Sequence, residues 1–161
     1  MVTRNFLVLL IVLLGVGCTP QCERNQFEPS KPYSKAISEF KSEDIGEGSG
    51  PELQEGDLVE VKFRGWIYDS NKSDGKGALV FDSYTDKTPL KINFGQDEIL
   101  LGWQEGLLGM KIGGKRRLFI PSPMAYGDAG AGTIVPPKTD LIYEIEVLSI
   151  QSGSTDGDSK E

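Results

Sequence analysis

Histidine is absent from the sequence, and its two cysteines, Cys18 and Cys22, both lie near the N-terminus. That removes the usual general base, any Ser-His or Cys-His nucleophile, and the commonest metal ligand. Cys18 and Cys22 have no cysteine or histidine elsewhere to complete a four-ligand zinc site, so no metal and no cofactor is expected. The glycine-rich run at 127–132 is not followed by Gly-Lys-Ser/Thr, so it is no phosphate loop. Lys115, Arg116 and Arg117 form the single basic run in a chain of net charge −7, and are read as the solvated face of a strand. No nucleic-acid partner is expected, because such binding needs a basic stripe that displaces counterions. What remains is chemistry that needs no nucleophile, base or metal. By spacing alone Phe63, Phe81, Trp103 and Tyr143 read as core residues. Asp82, directly after Phe81, is the least core-like polar group among them.

The elements that must position these residues are mostly strands. Twenty glycines and nine prolines in 161 residues imply many turns and favour a β-rich fold over a helical bundle. Residues 57–68 alternate strictly, with Val59, Val61, Phe63 and Ile67 on one face and Glu60, Lys62 and Arg64 on the other. Shorter strands are predicted at 79–82, 90–94 and 116–120. At 141–150, Leu141, Tyr143, Ile145 and Val147 alternate with Ile142, Glu144, Glu146 and Leu148. One segment has helical spacing, through Ile99, Leu100, Trp103, Leu107 and Leu108. Asp97 is its candidate N-cap and Gly109 its stop. Gly102 and Gly106 each weaken such a helix by about 1 kcal/mol against alanine, so packing must hold it. The pattern predicts an α+β body over 51–150: four to six antiparallel strands in a twisted β-sheet wrapped around one short α-helix.

Ahead of that body stand an address and a tether. Residues 1–17 carry Arg4, an apolar run from Phe6 to Leu14, then Gly15-Val16-Gly17 before Cys18. This is the pattern of a secretory signal peptide, too short for a membrane span of about 20 residues. A cysteine directly after small residues resembles the lipobox of bacterial lipoproteins, with Gly15 standing where an aliphatic residue is preferred. The alternative is an ordinary cleaved signal and a soluble secreted protein. The resemblance implies lipid attachment at Cys18 and a place in the bacterial cell envelope, lipid-anchored and facing the periplasm or exterior. Residues 18–50 read as anchor and tether, with Pro20, Pro29, Pro32 and a breaker cluster ending at Pro51. A short helix over 34–41 is allowed by Ile37 and Phe40. Residues 151–161 read as a disordered tail.

The body resembles the FKBP family of prolyl isomerases in an ordered set of segments. They are Val61-Lys62-Phe63-Arg64-Gly65, Val80-Phe81-Asp82-Ser83-Tyr84 and Ile92-Asn93-Phe94-Gly95, then residues 99–107 with Gly102-Trp103-Gln104-Glu105-Gly106. Met110-Lys111-Ile112-Gly113-Gly114-Lys115-Arg116, Ala125-Tyr126-Gly127, Ile134-Val135-Pro136-Pro137 and residues 141–148 follow. Each segment alone is weak; their order makes the set specific. The resemblance implies an apolar pocket between sheet and helix. Its floor is Trp103 with Ile99 and Leu100 beside it, its walls Phe63, Phe81, Ile134 and Tyr143, and Leu90 lies near the rim. Asp82 and Tyr126 form the polar edge, and the Leu100 N–H is the contact for a ligand carbonyl. It implies catalysis through Asp82, Tyr126, Phe81 and Trp103, proline-containing polypeptide clients, macrolide inhibitors and a monomer. The alternatives are a proline-segment or macrolide binding module, or a holdase chaperone, with little turnover. Phe63 stands where many relatives carry tyrosine, Leu90 replaces a rim aromatic, and residues 66–80 read as an inserted exposed loop.

Overall fold

A computed structural model describes residues 36–86 and 88–153. The signal peptide expected at 1–17, Cys18, Cys22 and the first half of the tether lie outside the described residues. So do residues 154–161 of the expected tail. The elements run β1 (Lys41–Gly46), β2 (Ser49–Glu52), β3 (Leu58–Tyr68), β4 (Lys76–Asp82), β5 (Leu90–Asn93), α1 (Leu101–Leu107), β6 (Lys111–Ile112), β7 (Lys115–Ile120) and β8 (Leu141–Gln151). This is the expected α+β arrangement, an antiparallel sheet with a single α-helix among the described residues.

Strand β3 is the spine because its alternating apolar side chains give one face to bury. Val59, Val61 and Ile67 are buried on that face. On one edge β3 pairs with β8 along nearly its whole length, Phe63 opposite Ile145 and Gly65 opposite Tyr143. On the other edge it changes partner. Its first half pairs with β5, Val61 opposite Leu90, and its second half with β4, Gly65 opposite Phe81. The sheet order is β1-β7-β8-β3-β4, with β5 also on β3, and β2 and β6 form a separate two-stranded ribbon.

Helix α1 lies against β7, and its glycines explain how closely. A Cβ on Gly102 would stand 2.6 Å from Ile120 Cγ2, and one on Gly106 would stand 2.5 Å from both Cδ atoms of Leu118. The helix therefore gives up propensity for contact with two fully buried side chains. Trp103 and Leu107 face the core, whereas Leu108, expected on the same face, is exposed beyond the helix end. The helix starts two residues later than expected, at Leu101, with Leu100 in the cap position and no side-chain cap. Asp97 is not that cap. Its carboxylate accepts from the Asn93 backbone N–H at 2.8 Å and closes a turn before the helix. Gly109, at φ 74°, takes the left-handed conformation expected of a helix stop.

Four further expectations change. Residues 41–50, assigned to the tether, belong to the folded body: β1 pairs with β7, and β2 begins at Ser49. No helix forms over the described part of 34–41, where Ile37 donates its N–H to Asp140 Oδ2 at 2.7 Å. Of the expected loop at 66–80, only 69–75 is a turn; the rest extends β3 and β4 into a hairpin. That turn packs down on the outer sheet face, where a Cβ on Gly75 would meet Ile142 Cδ1 at 2.9 Å. Ile142 is thereby buried together with Leu141 and Tyr143, and the alternation expected of β8 fails there.

The basic run is tied down rather than merely solvated. Arg116 bonds Asp44 at 2.6 Å and donates from Nη1 to the Gly106 carbonyl at 2.8 Å, covering a helix-end acceptor that α1 leaves open. Arg117 and Lys76 converge on Glu144 at 2.6 and 2.7 Å. Burial works against the charge on Glu144, and the hydrogen bonds from Lys76 and Arg117 overcome it, so its carboxyl titrates below the ordinary 4.5.

Two predictions follow from this packing. Gly106→Ala should destabilise the domain by about 1–3 kcal/mol despite its better helix propensity, because Leu118 has nowhere to move. Thermal unfolding checks this, and an equal or higher melting temperature would refute it. A carboxyl with a lowered folded-state pKa adds stability above its unfolded value and loses it as pH falls through the folded value. The gap in melting temperature between wild type and Glu144→Gln should therefore be present at pH 7 and shrink below about pH 4; a gap constant with pH would show that the charge contributes nothing.

Candidate functional site

The site begins with a missing side chain. Gly65 sits in the middle of β3, opposite Tyr143 on one neighbour and Phe81 on the other. A Cβ there would come within 2.6 Å of Tyr143 Cε1 and 3.0 Å of Phe81 Cδ2. Without it the two rings meet across the strand, stacked at 6.0 Å and 17°. Phe63, two residues earlier on the same face, stands edge-on to Trp103 at 4.8 Å. Trp103 also meets Tyr143 edge-on at 5.2 Å, and Tyr126 reaches Phe81 at 6.2 Å. Five aromatic rings from three strands, one helix and one loop thus form a continuous cage.

A cavity of about 360 Å³ opens inside it. Phe63, Phe81, Trp103, Tyr126 and Tyr143 line it, with Ile99, Leu100 and Leu90 at the helix side and rim. The size is at the lower end of small-ligand pockets. Glu98 is the one charged residue in the lining. Tyr143 is almost wholly buried, and burial, with the Tyr126 phenol beside it, pushes its pKa far above the ordinary tyrosine value. It is a neutral phenol at any physiological pH. The Trp103 indole N–H is buried with no hydrogen-bond partner among the described residues, on a ring that meets Phe63 and Tyr143 edge-on. The Leu100 N–H, just ahead of the helix, donates to no acceptor among the described residues.

Two sequence-derived site residues are not brought to the cavity. Ile134, expected as a wall, is 52% exposed, while its neighbour Val135 takes the buried place through the Ala131–Val135 bridge. Asp82 turns its carboxylate away from the lining. Oδ2 accepts from Arg64 Nε at 3.2 Å and Oδ1 from the Tyr84 N–H at 2.9 Å, capping the 3-10 turn Ser83–Thr85. Strand alternation explains this, since the residue after Phe81 points to the other side.

Sequence reasoning missed three residues that shape the site. Gly65 carried a signal, an isolated glycine inside a strand pattern, which marks a close approach. Ser83 carried none. It is buried, accepts the Phe63 N–H at 2.7 Å and donates to the Phe63 carbonyl at 3.1 Å, tying the wall to the point where β4 leaves β3. Glu98 stands beside Ile99 and is distinguished only by where the turn at Asn93–Asp97 aims the chain.

Comparison with known proteins agrees with this geometry. The family model for FKBP-type peptidyl-prolyl cis-trans isomerase matches residues 50–148. An FK506-binding protein of Neisseria meningitidis serogroup A is 43% identical over 109 residues, 67% of this chain and 93% of that protein. FK506-binding protein 2 of Kluyveromyces lactis is 40% identical over 101 residues, 63% of this chain and 68% of that protein. Among solved structures, FkpA from Escherichia coli superposes with a TM-score of 0.60 at 31% identity, covering 77% of this chain and 54% of that one. A peptidyl-prolyl cis-trans isomerase from Pseudomonas syringae pv. tomato gives 0.56 at 30% identity, covering 76% of this chain and 84% of that one. An aromatic cage set between this sheet and this helix, in a sequence matched by that family model, makes the chain a member of the FKBP-type peptidyl-prolyl cis-trans isomerase family.

Proposed function

We propose that this isomerase acts without covalent chemistry, stabilising a twisted X–Pro amide inside the aromatic cage. The barrier to rotation, about 18–20 kcal/mol, is amide resonance. In the twisted state the carbonyl oxygen loses negative charge and the nitrogen loses conjugation, so the amide is less polar than when planar. No bond breaks and no proton must leave. An apolar box therefore favours the twisted over the planar form, and lowering the barrier by about 5–6 kcal/mol accelerates rotation about 10⁴-fold. The observation that carries this reading is the lining itself: five rings and three aliphatic side chains, with the Glu98 carboxylate its one charged group. The free Leu100 N–H supports a role in holding a substrate carbonyl, and the Tyr126 phenol a second polar contact. The same cavity supports binding of macrolides such as the FK506 for which the Neisseria and yeast relatives are named.

Asp82 is assigned a positioning role. Its carboxylate is occupied by Arg64 and the Tyr84 N–H, and it holds the turn from which Phe81 is presented. The protein is further proposed to be a monomer, lipid-anchored at Cys18 in the cell envelope, acting on exported polypeptides. Support for the anchor comes from the apolar run and small residues before Cys18. From Cys18 to the first described residue is a path of eighteen residues, which spans at most about 60 Å.

The first test is an isomerisation assay on short X–Pro peptides. Wild type should accelerate them and tacrolimus should suppress it; no acceleration above the uncatalysed rate would end the enzyme reading. Tyr126→Phe should lose about 2–10-fold in kcat/KM, the value of one hydrogen bond. Asn can cap a turn as Asp does. Asp82→Asn should thus keep most activity where Asp82→Ala loses it, and equal losses would mean the charge acts on the substrate. For the anchor, a labelled fatty acid should be incorporated by the wild type and not by Cys18→Ala; an unlabelled wild type would refute it.

A further inference from the structure

We propose that Glu98 is a specificity-determining residue that favours client segments carrying a lysine or arginine next to the proline. This rests on the isomerase reading and names a substrate class for the same cavity. The lining is apolar or aromatic except at this one position, where an exposed carboxylate stands beside the mouth. It has no hydrogen-bond or ion-pair partner among the described residues. The cations next in sequence after the lining residues Phe63 and Leu90 are committed elsewhere. Arg64 bonds Asp82 at 3.2 Å and Lys91 bonds Glu60 at 2.9 Å.

The neighbouring Asp97 is not a second free charge of the same kind. Its carboxylate is occupied by the backbone and side-chain N–H groups of Asn93 at 2.8 and 3.3 Å. Those bonds close the turn from which Glu98 follows, which fixes the origin of its side chain. Residue 98 also immediately precedes Ile99 and Leu100, which line the cavity. A polypeptide whose proline fills the cage therefore leaves its flanking residues close to this carboxylate. A cationic flank gains an ion pair that costs the enzyme no broken partner, and an acidic flank meets a like charge. Both effects operate in partly solvated surroundings, so they bias the choice of client without dictating it.

The test uses two peptide series in a protease-free exchange assay by NMR, with Lys, Leu or Glu placed immediately before proline in one and immediately after it in the other. At low salt the wild type should prefer Lys over Glu in kcat/KM by about 2–5-fold in at least one series. Glu98→Gln should bring that ratio to about one, and Glu98→Lys should invert it. In 0.5 M salt the wild-type ratio should fall toward one, as the screening length shortens to a few ångströms. A ratio of rates for two peptides is unmoved by a mere loss of stability, which separates specificity from folding. A ratio of one in both series with the wild type overturns the inference, as does a ratio that survives in Glu98→Lys. Failure to accelerate the Leu peptides would instead strike the isomerase reading, and is read separately.

Discussion

The cage depends on three places where a backbone comes closer than any Cβ would permit. Gly65 lets Phe81 and Tyr143 meet across β3, and Gly102 and Gly106 let α1 settle onto Ile120 and Leu118. The first gap brings two walls together; the other two set the height of the floor, because Trp103 rides on the same helix. A methyl group at Gly65 would part the rings. A methyl at either helix glycine would lift the indole away from the sheet. Interiors are packed closely enough that such displacements are not absorbed locally. The cavity is thus what remains when sheet and helix approach to a distance that these glycines determine.

Around this apolar centre the charges are arranged so that almost none reach it. Arg64 and Asp82 neutralise one another on the opposite side of the strand pair. Glu144 collects Lys76 and Arg117 on the outer sheet face, and Arg116 is drawn to Asp44 and the end of α1. Tyr84 is another case: burial and its hydrogen bond to Glu146 raise its pKa to about 12. The Tyr143 phenol inside the cage and the Tyr84 phenol outside it therefore stay protonated, and the interior offers rings, aliphatic groups and neutral donors. Such an interior is poor at proton transfer and well suited to a reaction in which only the polarity of an amide changes.

The sequence was most informative where burial imposes a period. The alternation of 57–68 becomes β3, and the 3.6-residue spacing around Trp103 becomes α1, because each has one face to hide. It was least informative where pairing is decided by a partner. Lys41–Gly46 has no apolar alternation and is largely exposed, yet it forms β1 because the free edge of β7 accepts it in register. Polar edge strands of this kind look like linker. Ile134 and Asp82 were placed in the pocket by resemblance, and each was displaced by a local constraint, the Ala131–Val135 bridge and strand alternation. Neither Ser83 nor Glu98 follows a burial period, since each is placed by an adjoining turn rather than by a face to hide.

Asp140 shows how the peripheral segments are held to the cage. Its Oδ2 accepts from Ile37 at 2.7 Å and its Oδ1 from Ser122 at 2.8 Å, while its carbonyl accepts from the Tyr68 N–H at 2.9 Å. One residue therefore joins the segment ahead of β1, the end of β3 and the 3-10 turn Ser122–Met124 that leads to Tyr126. A carboxylate taking two backbone donors is a strong junction. Ile37 is thus held at the base of the loop carrying a cage phenol, separated from it by a single side chain. Beyond that junction β1 is laddered onto β7.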